Sequence, residues 1–310
     1  MLKDEYKVSV IMPVYNAQKY IERAVKSVIN LLHAGELIII DDGSSDDSLQ
    51  VARNLKTVYK RIRLLTHKDN KNHGPAQTRN LGIRESKFDY VSFLDADDYY
   101  LPNRFDIEAE LFSTIPQIDA VYGFTLANYE SAIAKQIFEK GSIPERTTFS
   151  EKILPQDLFK ALMLGGYGCF HTSGITIKKS LLKKTGVFNT DLRYGEDTEL
   201  WYKLSLKGKL VAGSIHDPIA VRWVHEKKSI HEHEKMIPYR NKMHEELFSW
   251  MLHKPLPFEV KNLFFNALLR CSYYEHVPLH KLLFKKLISN PDMLFTSFFF
   301  KKLKLELSKR

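Results

Sequence analysis

Two apolar stretches of this 310-residue chain end in clustered aspartates. Leu37-Ile38-Ile39-Ile40 runs into Asp41-Asp42-Gly43-Ser44, and Tyr90-Val91-Ser92-Phe93-Leu94 runs into Asp95-Ala96-Asp97-Asp98. Open α/β sheets bind ligands outside the carboxyl ends of their strands, so carboxylates at such ends are poised to hold a polar ligand. Their charge favours a divalent cation, and a hard ion such as Mn²⁺ or Mg²⁺ takes oxygen ligands and bridges phosphates. If the chain stays extended beyond Leu94, alternation turns Asp95 and Asp97 to the same side. Asp41-Asp42-Gly43-Ser44-Ser45 could offer a carboxylate to a base N–H and a helix N-terminus to a phosphate. Both segments also read plainly as an acidic turn with a helix cap. A further acidic pair, in Gly195-Glu196-Asp197-Thr198-Glu199-Leu200, opens a late helix. It suits general-base work, and a pair there is also favoured by the helix dipole alone.

These residues need a scaffold, and the apolar periodicity supplies one. Val8 to Met12, closed by Pro13, reads as a strand, as do Leu37–Ile40, Ile62–Thr66 and Tyr90–Leu94. Between them, Ala17 to Leu32 carries Tyr20, Ile21, Ala24, Val28, Leu31 and Leu32 at helical spacing. Another helix follows a cap at Ser44 or Ser45, and a third spans Pro75 to Glu85. Alternating strand and helix implies a mostly parallel sheet with right-handed crossovers. Further on, Asn103–Phe112 and Thr198–Leu206 read as helices, and Ala120–Phe124, Ser173–Ile177 and Ile219–Val221 as strands. Glu130 to Ser150 is polar and reads as an irregular, ligand-covering loop. From about Ser229 only helices are expected, broken at Pro238, Pro255, Pro257, Pro278 and Pro291. The expected division is 1–228 as the α/β domain and 229–310 as a helical region.

Composition narrows the class. The formal charge of +9 favours anionic partners, with the excess crowded at Lys285, Lys286, Lys301, Lys302, Lys304, Lys309 and Arg310. No nucleic-acid module is recognisable, so nucleic acid is not an expected partner. The two cysteines, Cys169 and Cys271, do not make a disulfide scaffold and fit a reducing cytoplasm. The first residues lack an apolar signal core. No apolar run approaches the ~18 residues of a membrane span. Residues 291–310 are aromatic and then basic, a pattern that could lie in the membrane interface against anionic lipid. The other reading is a helix docked on the α/β domain or on a second subunit.

The conjunction of motifs is more telling than any one. Val10-Ile11-Met12-Pro13-Val14-Tyr15-Asn16 precedes Asp41-Asp42-Gly43-Ser44; Gly74, Arg79-Asn80, Asp95-Ala96-Asp97-Asp98 and Gly195-Glu196-Asp197-Thr198-Glu199-Leu200 follow in order. In this order and spacing, residues 8 to 225 resemble the inverting family 2 glycosyltransferases of GT-A fold. The resemblance implies a nucleotide-diphosphate sugar donor, a UDP-sugar first among them, a divalent cation (Mn²⁺ or Mg²⁺), and a glycan or lipid-linked acceptor in cell-surface polysaccharide synthesis. By position, Pro13 and Tyr15 match residues lining the base, Asp42 the carboxylate bonded to it, and Asp41 its support or a second contact. Arg79 matches a basic residue near the nucleotide. Asp95 resembles the ribose or metal-water contact and Asp97 the direct metal ligand, while Asp98 could instead anchor the following loop. Asp197 matches the catalytic base, with Glu196 as the alternative. Arg222-Trp223-Val224-His225 is similar to an Arg-x-x-His element whose histidine reaches the metal or diphosphate; a structural histidine is the other reading. Cys169-Phe170-His171 falls where the family shapes its acceptor pocket, or is a packed strand. His231-Glu232-His233-Glu234 reads as a solvated helix start rather than a metal site.

Rival classes fit less well. A haloacid-dehalogenase-type phosphohydrolase expects Thr or Val where this chain has Tyr99. A sugar-nucleotide pyrophosphorylase would carry a Gly-rich basic loop that Val8 to Asn16 lacks. A catalytically inactive nucleotide-sugar-binding module is the non-enzyme alternative, disfavoured because carboxylates occupy both the metal and the base positions.

Overall fold

The computed structural model describes residues 6–140, 144–164, 170–226, 233–252, 254–273, 301 and 304. The tail 291–310, apart from Lys301 and Lys304, lies outside these residues, as do Cys169, His231, Glu232 and the breaks expected at Pro278 and Pro291. The chain divides into two compact units, 1–233 and 234–310.

The first unit is built on β1 (Val8–Val14), β2 (Ala34–Asp41), β3 (Ile62–Thr66) and β4 (Tyr90–Phe93), with α1 (Ile21–Ile29), α2 (Ser48–Val58) and α3 (Pro75–Glu85) as crossovers. Parallel pairing runs β4-β1-β2-β3. These strands are apolar on both sides because both faces are covered: Val10, Ile11, Met12, Ile38, Ile39 and Ile40 are fully buried. From α1, Ile21, Ala24, Val25 and Val28 meet that core at helical spacing.

Beyond β4 come β5 (Tyr99–Tyr100), α4 (Asp106–Thr114), β6 (Ala120–Tyr122), β7 (Thr125–Tyr129), α5 (Ala132–Lys140), β8 (Arg146–Thr147) and α6 (Pro155–Leu164). The first unit continues with β9 (Ile175–Lys178), α7 (Lys179–Thr185), α8 (Glu196–Lys207), β10 (Leu210–Ala212) and β11 (Ala220–Val224). The main sheet has seven strands in the order β10-β6-β9-β4-β1-β2-β3, and a four-stranded sheet runs β5-β11-β7-β8. Among the described residues, only β9 runs against its neighbours in the main sheet, antiparallel to β4 and β6. Beneath it, the fully buried Arg104 pairs with Glu108 at 2.5 Å and donates to Ser92 Oγ at 2.7 Å. Thr176 and Tyr6 donate to the other Glu108 oxygen, tying α4 to β9 and the start of the chain.

Several boundaries differ from the periodicity. The first helix begins at Ile21, four residues later than the pattern starts. The second begins at Ser48 rather than after Ser44: the Asp46 carboxylate accepts the Ser48 N–H at 3.0 Å, a local turn that precedes the helix. The stretch expected to be an irregular loop, 130–150, holds α5 and β8: Ala134 and Phe138, one turn apart, bury against Ala127 and Val224. Strand β11 runs on to Val224 because β7 pairs with it from Ala220 to Val224, while β5 meets only Ala220 and Val221; Arg222 and Trp223 therefore lie within it.

The second unit contains α9, whose first residue closes the first unit (His233–Leu252), and α10 (Phe258–Tyr273). Pro238 lies inside α9 rather than ending it. Early in a helix its missing N–H removes a single hydrogen bond. No described helix is long and apolar enough to cross a membrane.

Candidate active site

Because β1 lies between β2 and β4 and runs parallel to both, the carboxyl ends of all three open at one edge. That register brings Pro13 to Tyr15, Asp41-Asp42 and Asp95 to Asp98 to the same end of the sheet. Tyr15 is 52% exposed there, a free aromatic face beside half-buried Pro13.

At the β2 end, the Asp42 carboxylate accepts from His73 N at 2.7 Å, Gly74 N at 2.9 Å and Asn72 Nδ2 at 3.1 Å. His67 Nε2 lies 3.3 Å away. Burial pushes the Asp42 carboxyl up, against the pull of those backbone donors. Asp42 therefore holds the 72–74 segment onto the strand end, an engagement its sequence position did not reveal. Asp41 turns Oδ2 to Gly43 N and Ser44 N, at 3.2 Å each, while its buried Oδ1 has no hydrogen-bond partner among the described residues. Gly43 has φ +73°, and a Cβ there would sit 2.8 Å from the Lys71 carbonyl carbon. Gly43→Ala is expected to destabilise the protein by about 1–3 kcal/mol. Denaturant unfolding reads this directly, and an unchanged midpoint would contradict the close packing.

At the β4 end the extended geometry expected for Asp95 and Asp97 does not occur. Asp98 N donates to Asp95 O at 2.9 Å, closing a turn over 95–98, so strand alternation no longer sets the side-chain directions. The Asp95 Oδ1 atom accepts from Arg79 Nη2 at 2.7 Å. Asp97 Oδ2 lies 3.1 Å from His225 Nε2. Asp98 is fully buried and accepts from Trp223 N at 3.0 Å and Ser173 Oγ at 3.2 Å, which makes it an anchor between the turn and β11. Ligand atoms of Asp95, Asp98 and His171 lie within 4.8 Å of one another, a grouping not foreseen from the sequence, where His171 carried no metal reading.

Arg79, on α3, spends its guanidinium on two carboxylates: Asp95, and Glu196 at 2.9 Å. The arginine thus ties the turn after β4 to the N-terminus of α8, across 117 residues of sequence to Glu196. Burial works against its charge, but Asp95 and Glu196 outweigh that and hold it protonated. Burial likewise works upward on Asp95, yet Arg79 and then His171 bring its carboxyl below the ordinary range. Burial, and then the neighbouring Asp197, push Glu196 up to about 7 despite Arg79. Asp197, half-buried, accepts from Thr198 N at 2.6 Å and is not drawn onto Arg79.

The raised Glu196 value has a consequence for stability. The folded carboxyl binds its proton more tightly than the ordinary 4.5, so its contribution is full below that value and is lost as pH rises through about 7. Unfolding midpoints between about pH 5 and pH 8 are expected to fall less steeply in Glu196→Gln than in wild type. Equal slopes would remove Glu196 as the source.

Solved structures share this architecture. The chain is similar to S. aureus TarS residues 1–349 in complex with UDP-GlcNAc, with a TM-score of 0.68, 18% identity, and coverage of 86% of this chain and 73% of that one. It is also similar to the mannosyltransferase PcManGT from Pyrobaculum calidifontis in complex with GDP-Man and Mn²⁺, at a TM-score of 0.55, 16% identity, and coverage of 97% and 84%. These likenesses establish the fold as GT-A. In sequence, the chain is 30% identical over 202 residues to the Escherichia coli UDP-Glc:alpha-D-GlcNAc-diphosphoundecaprenol beta-1,3-glucosyltransferase WfgD, covering 65% of this chain and 70% of that protein. An uncharacterized glycosyltransferase of Rickettsia conorii is 29% identical over 67% of this chain, which spans 31% of that longer protein. The model of glycosyl transferase family 2 matches residues 9–184, more than half of the chain, and the protein belongs to that family.

Proposed function

We propose that this protein is an inverting, metal-dependent glycosyltransferase. It moves a hexose or N-acetylhexosamine from a UDP-sugar to a hydroxyl of a glycan or lipid-linked acceptor, in cell-surface polysaccharide synthesis. The observation that carries this reading is the meeting of Asp95 and Glu196 on one buried arginine, Arg79. Through it the acidic turn suited to a cation and the half-buried Asp197 share one site. The names of relatives support the substrate classes: TarS with UDP-GlcNAc, and WfgD with a UDP-Glc donor and a diphosphoundecaprenol-linked acceptor.

In this reading Tyr15 and Pro13 line the base and Asp41 and Asp42 form its polar floor. Asp97, Asp95 and His225 would hold the cation. Carboxylate oxygens with one imidazole nitrogen form a donor set that suits Mn²⁺ and, through the oxygens, Mg²⁺. When bound, the ion stabilises charge on the departing diphosphate. Asp197 takes the proton of the acceptor hydroxyl. The new C–O bond forms as the anomeric C–O bond to phosphate breaks, and its electron pair leaves with the nucleoside diphosphate. A single displacement inverts the anomeric carbon and needs no protein nucleophile. Arg79 orients Asp95 and Glu196 rather than contacting the nucleotide itself.

Transfer belongs to residues 1–228 in this proposal, with 229–310 as an appendage. The aromatic and basic residues 291–310 bring the enzyme to a membrane-borne acceptor on the cytoplasmic face. Liposome flotation with and without residues 291–310 tests that part, and equal flotation would end it. The activity is tested by donor hydrolysis across a panel of nucleotide sugars with Mn²⁺, Mg²⁺ or EDTA. Cleavage of one donor, lost in EDTA, is the expected result. Absence of both cleavage and metal-dependent nucleotide binding would overturn this reading.

A further inference from the structure

The first turn of α1 reaches the acidic turn in two ways. Tyr20, the residue that opens α1, stacks its ring on His225, with centroids 4.7 Å apart and planes 20° apart. Its hydroxyl reaches the Glu130 carboxylate at 3.2 Å. Three residues on, Arg23 donates from Nη2 to the Asp97 backbone carbonyl at 3.0 Å. Its guanidinium lies over two rings, 4.6 Å from the centre of Tyr99 and 4.2 Å from that of Trp223.

These contacts converge on one pair. The Asp97 carboxylate faces His225 at 3.1 Å, and both side chains are largely buried, 19% and 12% exposed. Tyr20 covers one face of the imidazole, while Arg23 grips the main chain that carries the carboxylate. Neither residue is a ligand: the tyrosine presents its ring face and the arginine is cationic. Arg23 is held by its stacked rings as well as by its hydrogen bond.

We propose that Tyr20 and Arg23 are positioning residues that set the Asp97–His225 pair for a divalent cation. The proposal rests on the reading of Asp97 as a metal ligand. Ligands for a small hard ion must be fixed within a fraction of an ångström, which needs support from neighbouring side chains. A histidine free to rotate and a turn free to shift would spread the donors over many geometries.

The test is titration with Mn²⁺ alone, read by the electron paramagnetic resonance signal of the free ion, on the full chain. Thermal unfolding is measured beside it. Tyr20→Leu removes the stacking ring, and Tyr20→Phe keeps it. Arg23→Met keeps an apolar shaft against the rings and loses the bond to Asp97. Tyr20→Leu is expected to weaken Mn²⁺ binding by roughly 3- to 10-fold, with Tyr20→Phe close to wild type. Arg23→Met is expected to weaken it by a similar factor, roughly 3- to 10-fold. Asp97→Ala, which abolishes binding if Asp97 is a ligand, separates the two ideas. If Asp97→Ala binds as wild type does, the metal reading falls and the proposal with it. If Asp97→Ala fails to bind while Tyr20→Leu and Arg23→Met match wild type, the positioning role alone is overturned. Equal losses in Tyr20→Phe and Tyr20→Leu would also overturn it for Tyr20, since phenylalanine keeps the ring. Should Tyr20→Leu unfold, Arg23→Met decides the matter by itself.

Discussion

Asp197→Asn is expected to lower the transfer rate by ~10²–10⁴-fold while Mn²⁺ and donor binding stay near wild type. Asparagine has the same shape and keeps an oxygen for the Thr198 N–H, which Asp197 Oδ1 accepts at 2.6 Å. The start of α8 is thereby preserved, and only the capacity to take a proton is lost. The adjacent Glu196 is engaged elsewhere: its carboxylate is buried and held on Arg79 at 2.9 Å. The measurement is kcat at saturating donor and acceptor, with calorimetric binding of the donor as control. Transfer at the wild-type rate would overturn the assignment of Asp197 as the base. Loss of donor binding together with rate would instead assign it to the donor site.

Arg79→Leu should be the most destabilising single change in the site, by about 3–5 kcal/mol. The arginine side chain is 6% exposed, and its partners Asp95 and Glu196 are 25% and 10% exposed. Removing the shared cation leaves two poorly solvated carboxylates without their counter-charge, and their mutual repulsion adds to the desolvation cost. The sign with pH follows. Without Arg79 the carboxyls titrate higher, so protonation relieves the strain in acid and the loss grows as pH rises. Arg79→Lys keeps the charge but lacks the fork that spans both partners, and should recover only part of the loss. Chemical denaturation at about pH 5 and pH 8 measures both effects. A loss below about 1 kcal/mol at pH 8 would show that Asp95 and Glu196 do not depend on the arginine.

What local sequence could determine, it determined well. Strand β3 and helix α3 fall where turn residues and apolar periodicity set them, at Ile62–Thr66 and Pro75–Glu85. The parallel order around β1 follows from alternating strands and helices, because short right-handed crossovers admit few arrangements. The family was legible too, since several loose motifs in fixed order are jointly specific. Its match covers residues 9–184. Misread segments were those where a distant partner overrode local polarity, as when Phe138 buries against Val224 and makes a helix of an expected loop.

The division of labour inside the site was set by tertiary structure. Residue types alone put Asp95 and Asp97 side by side on an extended end, whereas the chain turns there and aims one at Arg79 and the other at His225. Asp42 carries the same side chain wherever it sits, and only the fold reveals that three donors from 72–74 occupy it. The pairing of Arg79 with Glu196 and the stacking of Tyr20 on His225 join residues far apart in the chain. Side-chain period and turn chemistry are short-range properties that a sequence records directly. Charge pairing and ring stacking depend on which surfaces packing brings within a few ångströms, and that is decided only when the sheet and its helices close.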